Sequence, residues 1–222
     1  MFKKDPDMTL HEPMETGTVT TRHRRAPKGE KRREELLDAA LQLFSIEGYT
    51  GASVAKVAAI VGISVAGLLH HFPSKISLLM GVLERRDEVN GRIAAEVRTE
   101  ENTLTGLLNG LRAINRSNST APGVVRAFSI LNAESLLDSQ PAFEWFQTRY
   151  ERIHAHLLKQ FSELVERGEV RAYVDVSKVI QQILAMMDGL QIQWLRFPDQ
   201  VDLVECFDAY IAQVDAAVRA RP

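Results

Sequence analysis

Apolar residues recur at helical spacing along most of this chain. Leu36, Leu37, Ala40, Leu41 and Phe44 fall on one stripe of a helix, with Glu30, Glu34 and Glu35 near its start, where carboxylates suit the helix dipole. Gly48 is a natural stop, because glycine accepts a left-handed backbone after a helix end. Ser53 sits at an N-cap position, and Val54, Val57, Ala58 and Val61 give a second, short helix a narrow apolar face. The small Ala58 and Ala59 predict close approach of a neighbouring helix. Gly62 breaks that helix and Ser64 caps a third, Val65 to His71. Further helical stripes predict elements over 74–98, 103–117, 122–138, 141–168, 176–196 and 202–220. Pro122 and Pro141 suit first-turn positions, Gly168 a C-cap and Pro198 the residue beyond a helix end. No strand-like alternation stands out after Gly91, so the expected class is all-α, with about nine helices.

The segment from Leu36 to Lys75 has the layout of a helix-turn-helix unit. In the third helix Leu68 and Phe72, four apart, should point into a small core. Val65 with Leu69, and Ala66 with His70, project from other faces towards a DNA groove. Gly67 lies mid-helix, where glycine costs about 0.5–1 kcal/mol relative to alanine. Close approach to another backbone, such as DNA, would offset that cost. Lys75 lies at the start of the fourth helix, where an ammonium and free N–H groups together hold a phosphate.

These residues resemble the DNA-binding domain of the TetR family of bacterial transcriptional regulators. The likeness is carried by Ala39-Ala40, Phe44, Gly48-Tyr49, Ser53-Val54, Val57-Ala58, Gly62-Ile63-Ser64, Leu68 and His70-His71-Phe72-Pro73-Ser74-Lys75. Family members often have lysine, threonine and tyrosine where this chain has Val65, Gly67 and Leu69. The recognition helix is therefore almost bare of donors, with Ser64 and His70 the main ones left. Two readings stay open: Val65 and Leu69 touch thymine methyls in the major groove, or they pack locally. Ser53 and Val54 complete the DNA-facing set that the resemblance implies.

The chain of 222 residues carries a net charge of −2, which does not advertise nucleic-acid binding. Its distribution does. Arg22, Arg24, Arg25, Lys28, Lys31, Arg32 and Arg33 cluster against Glu30 alone. A basic arm there would reach phosphates or the minor groove; a solvated tail is the alternative. The expected organisation is a disordered tail with a basic arm over 1–29, a DNA-binding domain over 31–91 with its helix-turn-helix at about 53–72, and an effector-binding and dimerisation domain over 92–222.

In that last region the sequence offers aromatic and polar groups for an effector pocket: Phe128, Asn132, Trp145, Arg149 and Tyr150, with Phe143, Phe146, Arg126, Glu134, His154 and His156 nearby. Gly106 and Gly110 either loosen the fifth helix or let it pack closely. Wide apolar stripes bearing Ile183, Met187, Leu190 and Trp194, then Phe207, Tyr210 and Val214, are expected to contribute to a homodimer interface. The resemblance implies a dimer on a palindromic operator, regulated by a small molecule and most often repressing. A constitutive DNA binder, or a helical ligand- or protein-binding module with weakened DNA binding, are the alternatives. No phosphate loop, His-Glu-x-x-His or nucleophile elbow is present, and His70-His71 diverge by about 100° on a helix. Neither an enzyme nor a metal or cofactor is expected. No span of about twenty uninterrupted apolar residues occurs, and Cys206 is the sole cysteine. A cytoplasmic location is expected.

Overall fold

The computed structural model describes residues 28–97, 102–137 and 140–220. Arg24 and Arg25, and with them the proposed arm, lie outside the described residues. Among the described residues there are nine helices: α1 (Lys28–Gly51), α2 (Val54–Val61), α3 (Val65–His71), α4 (Lys75–Val97), α5 (Leu104–Ser119), α6 (Pro122–Ser135), α7 (Phe143–Glu166), α8 (Val176–Arg196) and α9 (Leu203–Val218).

Local capping explains most of the boundaries. Ser53 Oγ accepts from Lys56 N, Ser64 Oγ from Gly67 N and Thr103 Oγ1 from Gly106 N. Ser74 and Ser77 satisfy each other's backbone N–H at 3.0 Å, a serine version of the capping box. Asp175 and Asp202 cap α8 and α9. Gly62 and Gly168 take positive φ after α2 and α7. At Gly168 the two bonds of a Schellman motif form, Gly168 N to Val165 O and Glu169 N to Leu164 O.

Three local expectations are corrected. Gly48 does not end α1 in the left-handed region: at φ 67, ψ −175 it kinks the helix, which resumes for one short turn to Gly51. That backbone is open essentially to glycine alone. Pro141 lies ahead of α7 and not in its first turn, since α7 begins at Phe143 with Ala142 as its N-cap. Ala58 is buried in the head core but Ala59 is exposed, and a further close approach in the head is made by Gly81 of α4. A Cβ there would stand 2.9 Å from Phe72 Cε1 and 3.0 Å from Leu37 Cδ2. Gly110 serves packing too, facing the Ala94 backbone of α4.

Two apolar cores organise the chain. The first joins α1–α4 to Ala127, Phe128 and Leu131 of α6 and to Ala142 and Phe146 around the start of α7. The second holds Leu104 and Leu108 of α5, Phe161 and Leu164 of α7, Ile180 and Ile183 of α8, and Phe207 and Ile211 of α9. α6 packs along α1, so the first core extends from the head into residues of α6 and α7. A short antiparallel bridge between Val170 and Arg219 fastens the end of α9 to the loop after α7.

Candidate functional site

The head presents α3 outward. The α2–α3 pair bends by 100°, within the range of helix-turn-helix units. Leu68 is fully buried and Phe72 nearly so, as their spacing predicts, while Val65 and Leu69 are 39% and 38% exposed. Ala66 and His70 are also exposed, and among the described residues a Cβ on Gly67 would meet the Ser64 and Ile63 side chains first. The outer face of α3 is thus apolar and carries no fixed charge. Lys28 is exposed at the start of α1. Ser53 and Ser64 spend their lone pairs on caps but keep hydroxyl protons to donate. Val54 is half-buried against the head core, so it is a packing residue first.

Lys75 is placed differently from the sequence reading. Its ammonium turns back onto the Tyr49 ring, 4.3 Å from the centroid, and donates to Thr50 O at 3.3 Å. Burial lowers its pKa from the ordinary lysine value, against a supporting field from Glu134. Glu134 of α6 also accepts from Tyr49 N at 2.7 Å. The turn at Gly48 is therefore held from two sides, by Lys75 of α4 and by Glu134 of α6, and any Cβ at Gly48 would collide with the Glu134 carboxylate.

Inside the body lies a cavity of about 690 Å³, bounded by α4, α5, α6, α7 and α8. Phe128, Asn132, Arg149 and Tyr150 line it, as the sequence suggested. Trp145 does not: it packs edge-on against Phe128 and Phe146, at 6.0 and 5.1 Å, beside the first core. The residues that sequence reasoning missed are Arg86 and Asp87 of α4 and Asp188 of α8. Tyr150 links two walls, donating to Asp188 Oδ2 at 2.6 Å and accepting from Asn132 Nδ2 at 3.1 Å. Burial, then the bond to Asp188, raises its pKa to about 12. Asp87 ties α4 to α7 through Arg149 at 2.7 Å and Arg152 at 2.5 Å. The residue two places back, Arg85, ties α4 to Glu34 and Asp38 of α1 at 3.1 and 2.8 Å. One turn of α4 thus contacts the head, the cavity and the body.

Two family descriptions match along the chain. Residues 36–81 fit bacterial regulatory proteins of the tetR family, and residues 133–220 fit the C-terminal part of BetI-type transcriptional repressors. The nucleoid occlusion factor SlmA of Vibrio atlanticus is 30% identical over 191 residues, covering 85% of this chain and 96% of that protein. The chain belongs to the TetR family. It is a DNA-binding transcriptional regulator and not an enzyme. A TetR regulator of Chloroflexus aurantiacus shares the fold, with TM-score 0.74 at 22% identity over 87% of this chain and 99% of that one. A putative regulator of Saccharomonospora viridis, solved in complex with choline, shares it with TM-score 0.70 at 21% identity, over 86% of this chain and all of that one. Among the described residues of this TetR-family chain, no single helix is long and apolar enough to cross a membrane.

The stripes nominated for dimer contacts are mostly turned inward. Ile183 and Phe207 are fully buried within one protomer, and Leu190 and Val214 belong to the same second core. Met187 lines the cavity. Trp194 and Tyr210 are half-buried against that core. An amphipathic stripe marks a covered face without saying which body covers it. The outward faces of α8 and α9 carry Ala185, Ala209, Ala212 and Ala216 instead.

Proposed function

We propose that this TetR-family regulator is a ligand-responsive repressor that binds a palindromic operator as a homodimer and leaves it when a small molecule fills the body cavity. The observation that carries the reading is the shared helix α4. Its first half, with Leu78, Leu79, Val82 and Leu83, is core of the DNA head. Its next turn lines the cavity through Arg86, Asp87 and Asn90. A ligand that prefers one tilt of α4 biases the position of the head, and its differential affinity sets the size of the switch. A cavity of about 690 Å³ suits a drug-sized ligand. The choline complex of the Saccharomonospora viridis protein supports such use of the fold.

In this reading Val65, Ala66, Gly67, Leu69 and His70 meet the major groove, Ser53 and Ser64 its flanks, and Arg24, Arg25 and Lys28 the phosphates. Lys75 chiefly positions the α1–α2 turn. Dimerisation follows from the short recognition helix, since two copies on a palindrome supply affinity that one cannot. The small side chains Ala185, Ala209, Ala212 and Ala216 are exposed on the α8–α9 face and suit close helix pairing. The cytoplasm is the expected compartment for such a regulator.

The test is selection of genomic fragments by the purified protein, followed by release with candidate ligands. A shared palindrome bound by a dimer, and freed by a cavity ligand, is the expected result. Specific binding that no ligand alters would point to a constitutive binder. Absence of any salt-sensitive specific complex would leave a helical binding module. The full-length likeness to nucleoid occlusion factors favours one second reading, a role in nucleoid occlusion. Septa forming across nucleoids in a deletion strain would support it.

A further inference from the structure

Arg86 is the one cavity group whose environment does not balance. It is 9% exposed, and its Nε and Nη1 are sealed from solvent with no hydrogen-bond partner among the described residues. Its guanidinium carbon stands 3.9 Å above the Phe128 ring, and that of Arg149 stands 5.0 Å from the same ring. The carboxylates nearby are committed elsewhere. Asp87 pairs with Arg149 and Arg152, and Asp188 accepts from Tyr150. Among the described lining residues, three guanidiniums face two carboxylates. Burial and the like charge of Arg149 push the Arg86 pKa down to about 9, so the side chain remains charged at neutral pH. Asp87 and Asp188 offset its charge only in part, and a buried guanidinium with unpartnered N–H groups is costly unless something pairs with it.

The remainder of the cavity is different in kind. Leu107, Leu111 and Ile114 of α5, Leu157 of α7, and Leu184 and Met187 of α8 make a long apolar wall. Asn118, His156, Gln160 and Gln191 interrupt that wall with polar groups, whereas the charge is gathered on Arg86, Asp87, Arg149, Arg152 and Asp188.

We propose that the effector is an organic acid, with its oxyanion against Arg86 and its apolar body along α5, α7 and α8. The proposal rests on the effector reading above and names the ligand class. Nε and Nη1 are covered by protein atoms, so a carboxylate or sulfonate would pair at the remaining edge of the guanidinium, Nη2, and hydrogen bonds between charged partners are roughly twice as strong as neutral ones. A quaternary ammonium such as choline would meet like charge at this end. The position of Arg86 also gives the anion its lever. It sits between Arg85, which holds α1, and Asp87, which holds α7. An anion at Arg86 relieves its repulsion from Arg149 and pulls on the turn of α4 that joins head and body.

The test uses two dyes of one skeleton on the full-length protein: anilinonaphthalene sulfonate and its uncharged parent, phenylnaphthylamine. Wild type should bind the sulfonate saturably and at least ~10-fold tighter than the parent. Arg86→Met should bring the sulfonate down to the parent's affinity and leave the parent unchanged. Equal affinities in wild type, an unchanged sulfonate affinity in Arg86→Met, or better displacement of the dyes by benzyltrimethylammonium than by benzoate would each overturn the proposal. Parent dye that binds and releases DNA without any preference for the sulfonate would sink the organic-acid assignment and leave the effector reading standing. Neither dye binding saturably would sink both. Where Arg86→Met does not fold, Asp188→Asn carries the test, since removing the nearby carboxylate should strengthen sulfonate binding, and an unchanged affinity would overturn the assignment.

Discussion

The outer face of α3 and the inner wall of the body cavity invert the usual distribution of charge. The surface that is to meet a polyanion offers Val65, Ala66, Leu69 and His70. The cavity wall holds three guanidiniums and two carboxylates, of which Arg152 reaches solvent. The contrast teaches that the two regions obey different constraints. At the DNA face, affinity can come from flanking cations while apolar side chains read base edges. In the cavity Arg86, Asp87 and Arg149 are largely removed from water, so each of these charges must be matched by a neighbour or by a ligand.

Adjacent residues of α3 test this most strongly. Leu68→Ala removes a fully buried side chain and should cost about 2–5 kcal/mol, with loss of a folded head in thermal denaturation. Leu69→Ala on the next residue should leave stability within about 0.5 kcal/mol. If both variants lose similar stability, the division of α3 into an inner and an outer face is wrong.

Gly48→Ala should destabilise by about 1–3 kcal/mol, because a Cβ must adopt a backbone reserved for glycine. It also strikes Glu134. The effect of the collision can be separated with Glu134→Ala: the double variant should recover part of the loss but not the backbone strain. Full recovery in chemical denaturation would show that φ at this position is not limiting.

Arg86→Met should do the opposite and gain about 1 kcal/mol at pH 7, since it replaces an unbalanced buried charge with an apolar side chain of similar length. The pH dependence follows from the sign of the shift. The folded pKa, about 9, lies well below the ordinary arginine value, so folding disfavours the charged form. The destabilisation is complete below pH 9 and is relieved as pH rises from there towards the ordinary arginine value. The gap between variant and wild type should be flat from pH 6 to 8 and narrow above 9. A gap that widens with rising pH would contradict the burial argument.

The smallest effects belong to the DNA face. Leu69→Ala should weaken operator binding roughly fourfold if a thymine methyl is left uncovered, at about 0.8 kcal/mol per buried methyl. Its effect should concentrate at operator positions bearing thymine. Replacing Arg24 and Arg25 by alanine should lower affinity on all sequences alike and flatten the salt dependence by about 0.9 for each phosphate no longer neutralised. An unchanged salt slope would remove the arm from the DNA interface.

The all-α class, the nine helices and most of their ends were legible in the residues because each signal is local. Ser53, Ser64 and Asp202 cap the helices they precede, and Gly62 and Gly168 adopt the conformations that only glycine takes cheaply. The division of α3 into buried Leu68 and exposed Leu69 follows from helical period alone. Other features depended on which surfaces meet. Trp145 reads as pocket aromatic but lies beside the first core, and Ile183 and Phe207 read as dimer contacts but fill their own protomer. Arg86, Asp87 and Asp188 look like solvated charges in an amphipathic helix. Only the arrangement of α4, α6, α7 and α8 around one space turns them into a cavity wall. A one-dimensional pattern fixes the hydrogen bonds and faces of each helix because those forces act within a few residues. It leaves open which covered face meets which neighbour, since that depends on contacts between helices far apart in the chain.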